Sequence, residues 1–149
     1  MISLYIDADG CPVVEEAIAI AHSFAMDVVI VCDYAHAFAP RDRGQVCLCD
    51  QGKDSVDFHI LKQVQRGDIV ITQDYGLASL LLTKGVHIIS QNGLIYHHEN
   101  MDELLAQRHM HAQLRKAKKH APHMKKRTIQ DDKLFEEAFL NLCKEIVHE

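Results

Sequence analysis

Apolar residues in this chain fall into short continuous runs, separated by stretches in which they recur every three or four positions. Residues 3–7 (SLYID), 27–33 (DVVIVCD), 45–50 (QVCLCD), 68–72 (DIVIT) and 86–90 (VHIIS) read as five buried strands. Between them, residues 12–24 form an amphipathic helix whose first turn holds Pro12, Glu15 and Glu16, all favoured there. Residues 54–65 and 77–84 give two more helices, the latter closed by Gly85. Strands that are apolar on both faces and separated by helices need cover on both sides, which predicts a mostly parallel sheet with right-handed crossovers in a three-layer α/β/α sandwich. Asn92-Gly93 marks a tight turn, and residues 101–118 and 131–147 read as two long helices beyond the sheet. Thr128 is the N-cap of the second, and the intervening KKHAPHMKKR is an exposed loop.

With 149 residues, 48% of them hydrophobic, the chain can bury one full core. The pattern gives a single domain, with a core over about residues 1–98 and a helical C-terminal segment over about 99–149. The longest apolar runs, 28–32 and 77–82, fall far short of a membrane span, and the N-terminus lacks the basic start of a signal peptide, so the expected location is cytoplasmic with no membrane partner. Five cysteines stand at 11, 32, 47, 49 and 143, without the paired spacing of a zinc site or a disulfide framework. Cys11 precedes Pro12 at a helix start, where a thiolate is stabilised, but no histidine lies nearby in sequence to serve as its base.

The acids are distributed unevenly. Asp7 and Asp9 end the first strand, Asp33 the second and Asp50 the third, Asp54 and Asp57 open the next helix, and Asp74 follows the fourth strand. Parallel strands deliver all of these to one edge, the side on which open α/β sheets bind ligands. Carboxylates converging there repel one another unless a cation neutralises them, and oxygen-only donors suit Mg²⁺ or Mn²⁺, one or two ions. Such a site hydrolyses phosphodiesters without a covalent nucleophile. Ordinary structural roles compete: Asp54 and Asp57 have N-cap and N3 spacing, and Asp33 and Asp50 suit strand-end turns. Asp7 resists that explanation, because an acid after Leu4 and Ile6 on a buried strand costs stability unless something compensates its charge.

Two families share the opening. The hydrophobic run followed by Asp-x-Asp-Gly resembles the first motif of haloacid dehalogenase-type phosphatases, which implies Asp7 as nucleophile and Asp9 as general acid, with Thr72 and Lys84 supplying later motifs. The further acidic motif of that family is missing, since residues 86–90 run on into Gln91 and Asn92. The segments YIDADGCPV, GKDSVDFHIL, GDIVITQDYGLASLLLTKGV, ISQNGLIYHHENMDELLAQRH and KKRTIQDDKLFEEAFLNLC resemble, in order and over nearly the whole chain, the bacterial YaiI/YqxD family, which is similar to PIN-like domains. The resemblance implies a metal-dependent ribonuclease, with Asp7 and Asp74 as catalytic residues, Asp7, Asp9, Asp54, Asp57 and Asp74 as the metal-binding set, and Thr72 in support. Gly10 stands where that family has alanine, and His120-Ala121-Pro122 where it has Gly-Gly-Pro.

Charge adds one element. Eight of the 16 basic side chains lie between Leu104 and Gln130, a window without an acid: Arg108, Arg115, Lys116, Lys118, Lys119, Lys125, Lys126 and Arg127. The rest of the chain sets eight basic residues against all 21 acidic ones, a formal −13. A basic segment on an acidic body points to nucleic acid, with RNA expected, although solvation or pairing with the body accounts for such a run equally well. Only histidines are interleaved, so no base-stacking platform is indicated. The reading is therefore a metal-dependent nuclease acting on RNA; a catalytically inactive nucleic-acid- or protein-binding module and a haloacid dehalogenase-like phosphatase stand as alternatives, and oligomeric state is left open.

Overall fold

Leu4 and Ile6 alternate with Tyr5 along the first strand, β1 (Ser3–Asp7), and this alternation assigns the two faces of the sheet. The computed structural model describes residues 1–33, 45–49, 55–117 and 126–148. After β1 come α1 (Val14–Ser23), β2 (Asp27–Asp33), β3 (Gln45–Cys49), α2 (Ser55–Gln63), β4 (Ile69–Ile71), α3 (Tyr75–Leu82), β5 (His87–Ile89), β6 (Ile95–Tyr96), α4 (His98–Lys116) and α5 (Ile129–Val147). The strands form one sheet in the order β3-β2-β1-β4-β5-β6, parallel throughout except for the antiparallel β5–β6 pair.

Leu4, Ile6, Ile30, Ile69, Ile71 and Ile89 face α1 and α5, and the fully buried Phe135 and Phe139 of α5 stack beneath them. Val31, Val70, Ile88 and Tyr96 face the other way, onto Val56 and Ile60 of α2, Leu77, Ala78 and Leu81 of α3, and Met101 of α4. This is the expected three-layer sandwich. α4 packs on α3 and buries Met101, while Arg108, Met110 and Arg115 stand exposed along its outer half.

Several boundaries differ from the sequence expectation. α1 starts at Val14, with Pro12 in the preceding turn, and no side chain caps it. α3 begins at Tyr75, two residues early, because Asp74 caps it. His97 caps α4 in a reciprocal arrangement with Asn100. Asn92-Gly93 is indeed a turn, but it leads into the short strand β6, which at two residues carries too little pattern to be seen. The Thr128 cap holds: its hydroxyl accepts from the Asp131 N–H at 3.3 Å, and Asp131 accepts from the Thr128 N–H at 2.9 Å.

Candidate active site

β1 lies at the centre of the sheet, with β2 on one flank and β4 on the other, so the connections leave it in opposite directions. This is the topological switch point of an open parallel sheet, and the crevice beyond its carboxyl end is where such folds bind ligands. The β1–β4 register, Ile6 beside Ile71, carries on past the strand ends to bring Asp7 and Thr72 together. The Thr72 hydroxyl donates to Asp7 Oδ2 at 2.7 Å and accepts from the Asp74 N–H at 3.1 Å. Asp74 Oδ1 in turn accepts from the Leu77 N–H at 3.1 Å, capping α3. A methyl group at Gly76 would stand 3.2 Å from that oxygen, so the glycine gives the Asp74 carboxylate its room.

The electrostatics mark Asp7 out. Burial, opposed by the Thr72 hydrogen bond and reinforced by the charges of Asp9 and then Asp74, pushes its carboxyl up from 3.8 to about 6. Asp68, buried at the opposite edge, makes a useful contrast: its two oxygens accept from the backbone N–H groups of Ser3 and Gln65, at 3.0 and 2.9 Å. Asp68 ties strands together, whereas Asp7 is crowded by like charge.

A cleft of about 30 Å³, room for an ion or one or two waters, is lined by Asp7, Asp9, Cys11, Ile71, Thr72, Gln73 and Gln91. Of the metal-binding set read from the sequence, Asp7 and Asp9 line this cleft, and Asp74 stands outside its lining but near enough for its charge to act on Asp7. Asp57 lies in the first turn of α2; Asp54, like Asp50, lies outside the described residues. Among the described residues, no three His, Cys, Asp or Glu side chains are close enough to hold a metal ion by themselves. Cys11 is a cleft wall, and burial, with Asp7 nearby, pushes its thiol up, which opposes a nucleophilic role.

Gln73 and Gln91 were not singled out from the sequence. Each lies two residues past the end of a strand, at the edge where the aspartates stand, and they meet through a 2.9 Å hydrogen bond from the Gln91 N–H to Gln73 Oε1. The phosphatase motif separates: Lys84 follows α3 at the amino edge of the sheet, where its ammonium bonds the Leu61 carbonyl, across the sheet from Asp7.

The basic segment divides too. Arg108, Arg115 and Lys116 are exposed on α4, Lys126 is exposed before α5, and Lys118, Lys119 and Lys125 lie outside the described residues. Arg127 alone of the described set reaches the carboxyl edge. Its Nε donates to Asp132 at 2.7 Å, and its two terminal nitrogens donate to Asn92 Oδ1 at 2.5 Å and the Gln91 carbonyl at 2.8 Å.

Residues 5–145 match the family model described as uncharacterized BCR, YaiI/YqxD family. The chain is 44% identical over 142 residues to a UPF0178 protein of Exiguobacterium sibiricum, covering 95% of this chain and 96% of that one. A UPF0178 protein of Alkaliphilus oremlandii is 40% identical over 142 residues (95% and 91% covered), and one of Shouchella clausii is 39% identical over 147 (99% and 96% covered). No solved structure matches. A match over residues 5–145, with relatives of nearly the same length, means that the chain belongs to the YaiI/YqxD family.

Proposed function

We propose that this protein is a metal-dependent phosphodiesterase of the PIN-like type, acting on RNA. The observation that carries this reading is the hydrogen-bonded chain from Asp7 through Thr72 to Asp74, which spans the β1–β4 switch point beside Asp9. Burial first, and then the charges of Asp9 and Asp74, leave Asp7 holding its proton more tightly than an ordinary aspartate, and a bound cation would offset the repulsion between these carboxylates.

The donors fit Mg²⁺ or Mn²⁺: they are hard carboxylate oxygens, with no thiolate or imidazole competing apart from a protonated Cys11. Asp7 and Asp9 would hold the ion, with Asp74 at the rim. Their number is too small to enclose it, which suits Mg²⁺, an ion that keeps several waters and takes substrate oxygens as ligands. When bound, it supplies charge neutralisation and an activated water. The chain does the rest. Thr72 fixes the Asp7 carboxylate by donating to one oxygen, leaving the other for the cleft, and the α3 cap fixes the Asp74 carboxylate within range for its charge to act on Asp7.

The test is cleavage of single-stranded RNA in Mn²⁺ by the native protein and by Asp7→Asn. Cleavage by the native chain, abolished by the substitution and by a chelator, is the expected result. Cleavage that survives Asp7→Asn removes Asp7 from the mechanism, and no cleavage of varied substrates favours a binding module. A covalent phosphoryl group trapped on Asp7 would favour the phosphatase reading, which the position of Lys84 disfavours.

A further inference from the structure

Arg127 is set apart from every other described cation by where and how firmly it is held. Its side chain is 22% exposed, and three hydrogen bonds fix the guanidinium plane: to Asp132 on α5, to Asn92 in the β5–β6 turn, and to the Gln91 carbonyl. Gln91 is also a wall of the acidic cleft, and its own N–H is bonded to Gln73, a second wall. The guanidinium therefore sits one residue from the cleft lining, at the same end of the sheet as Asp7. Its positive charge reaches the cleft, where it acts on the Cys11 thiol.

A guanidinium has five N–H donors in a rigid fork. The three bonds use Nε–H and one N–H on each terminal nitrogen, leaving one N–H on each. Two of the three acceptors are neutral, so Asp132 is the one carboxylate paired with the guanidinium among the described residues, and it is 35% exposed and screened by water. Terminal N–H donors on a guanidinium already fixed in its plane suit the oxygens of a phosphate. Holding the plane rigid in advance removes most of the ordering entropy that binding would otherwise cost.

We infer that Arg127 is the phosphate anchor of the cleft, binding a phosphate group of the substrate beside the one hydrolysed at Asp7, while the α4 cations act at a distance. The inference rests on the phosphodiesterase reading for its biological substrate. Phosphate binding can nevertheless be measured without any turnover.

The competing explanation is a purely structural clamp joining α5 to the β5–β6 turn, and two variants separate the roles because they move binding in opposite directions. Arg127→Gln removes the anchor. Asp132→Asn removes one strut and the carboxylate paired with the guanidinium, keeping the fork. Inorganic phosphate is titrated into the full-length protein and followed by the ¹⁵N and ¹H shifts of Arg127 Nε–H. A 5′-labelled single-stranded RNA oligonucleotide is titrated in parallel, in Ca²⁺ to prevent turnover, and thermal unfolding is recorded for each variant.

The expected result is saturable movement of the Arg127 resonance by phosphate, at least tenfold weaker RNA binding in Arg127→Gln, and equal or tighter binding in Asp132→Asn despite its lower Tm. A clamp alone would lower Tm in both variants and weaken RNA binding equally or leave it unchanged in both, and that overturns the proposal. RNA binding that follows the expected order while inorganic phosphate leaves the resonance still would assign the contact to the polymer rather than to free phosphate. If phosphate and RNA bind as expected and no cleavage is found, the anchor stands and the hydrolytic reading falls.

Discussion

Asp7 shows how a single side chain can be destabilising where it sits and informative for that reason. Its folded-state pKa of about 6 lies above the ordinary 3.8, so between these values the native chain binds more protons than the unfolded one. Stability attributable to this group is therefore highest below about pH 4, falls as pH rises through 4 to 6, and is lowest above 6, the full difference being on the order of 3 kcal/mol. Asp7→Asn should raise the Tm at pH 7.5 while abolishing metal-dependent activity, and the gain should shrink towards zero near pH 4. Mn²⁺ should raise the Tm of the native protein and leave Asp7→Asn unmoved. A pH-independent effect of the substitution, in calorimetry from pH 4 to 8, would contradict the burial and crowding assigned here. Thr72 acts in the opposite direction, since its hydroxyl lowers the Asp7 pKa. Thr72→Val should raise the Asp7 carboxyl further, visible in a ¹³C carboxylate titration, and cost about 1–3 kcal/mol by leaving a buried acceptor and the Asp74 N–H short of a partner.

At the level of elements, the β5–β6 turn and α5 form a closely fitted junction. Gly93 has φ +88°, and a methyl group there would stand 2.9 Å from the Leu134 carbonyl oxygen and 3.0 Å from the Ala138 methyl group. Ser90 Oγ accepts from the N–H groups of Asn92 and Leu94 within the same turn, and Arg127 ties it to α5 from outside. Gly93→Ala should therefore cost about 2–4 kcal/mol in urea unfolding, through left-handed backbone strain and overpacking together. Gly10→Ala, also at positive φ but with open space around the added carbon, should cost only the strain, about 1 kcal/mol. The strands that position Asp7 were legible because each carries three or more apolar residues in an unbroken run, and the Thr128 cap because Asp131 follows at the right spacing. Nothing local could reveal β6, with two residues. Nor could the sequence separate Arg127 from its basic neighbours, because its partners Gln91 and Asn92 lie 36 and 35 positions away and meet it only once α5 packs against the sheet. The strand ends reveal the aspartates but not their order of influence: Asp9, read as a supporting metal ligand or as the general acid of a phosphatase, acts on Asp7 more strongly than Asp74 does.

Across the whole molecule, the formal charge of −13 outside the 104–130 window opposes any polyanion, so an RNA substrate of the kind proposed would have to approach along a restricted path. α4 offers that path: Arg108, Arg115 and Lys116 are exposed on a helix that buries only Met101. If these residues meet phosphates in water, each contact releases condensed counterions, and the logarithm of the affinity falls linearly with the logarithm of salt concentration. Replacing Arg115 and Lys116 together by Gln should weaken binding of all single-stranded sequences alike and reduce the salt slope by about one to two. Fluorescence anisotropy between 50 and 200 mM KCl checks this, with Lys133→Gln on the α5 face as a control whose slope should match the native value. An unchanged slope in the α4 variant would mean that those cations serve only to solvate the helix. Arg127→Gln should behave differently from both, because a bidentate grip contributes short-range hydrogen bonds as well as charge. Its loss should persist at high salt, where the α4 contribution has faded, and that persistence is what distinguishes an anchor at the cleft from a diffuse basic track leading to it.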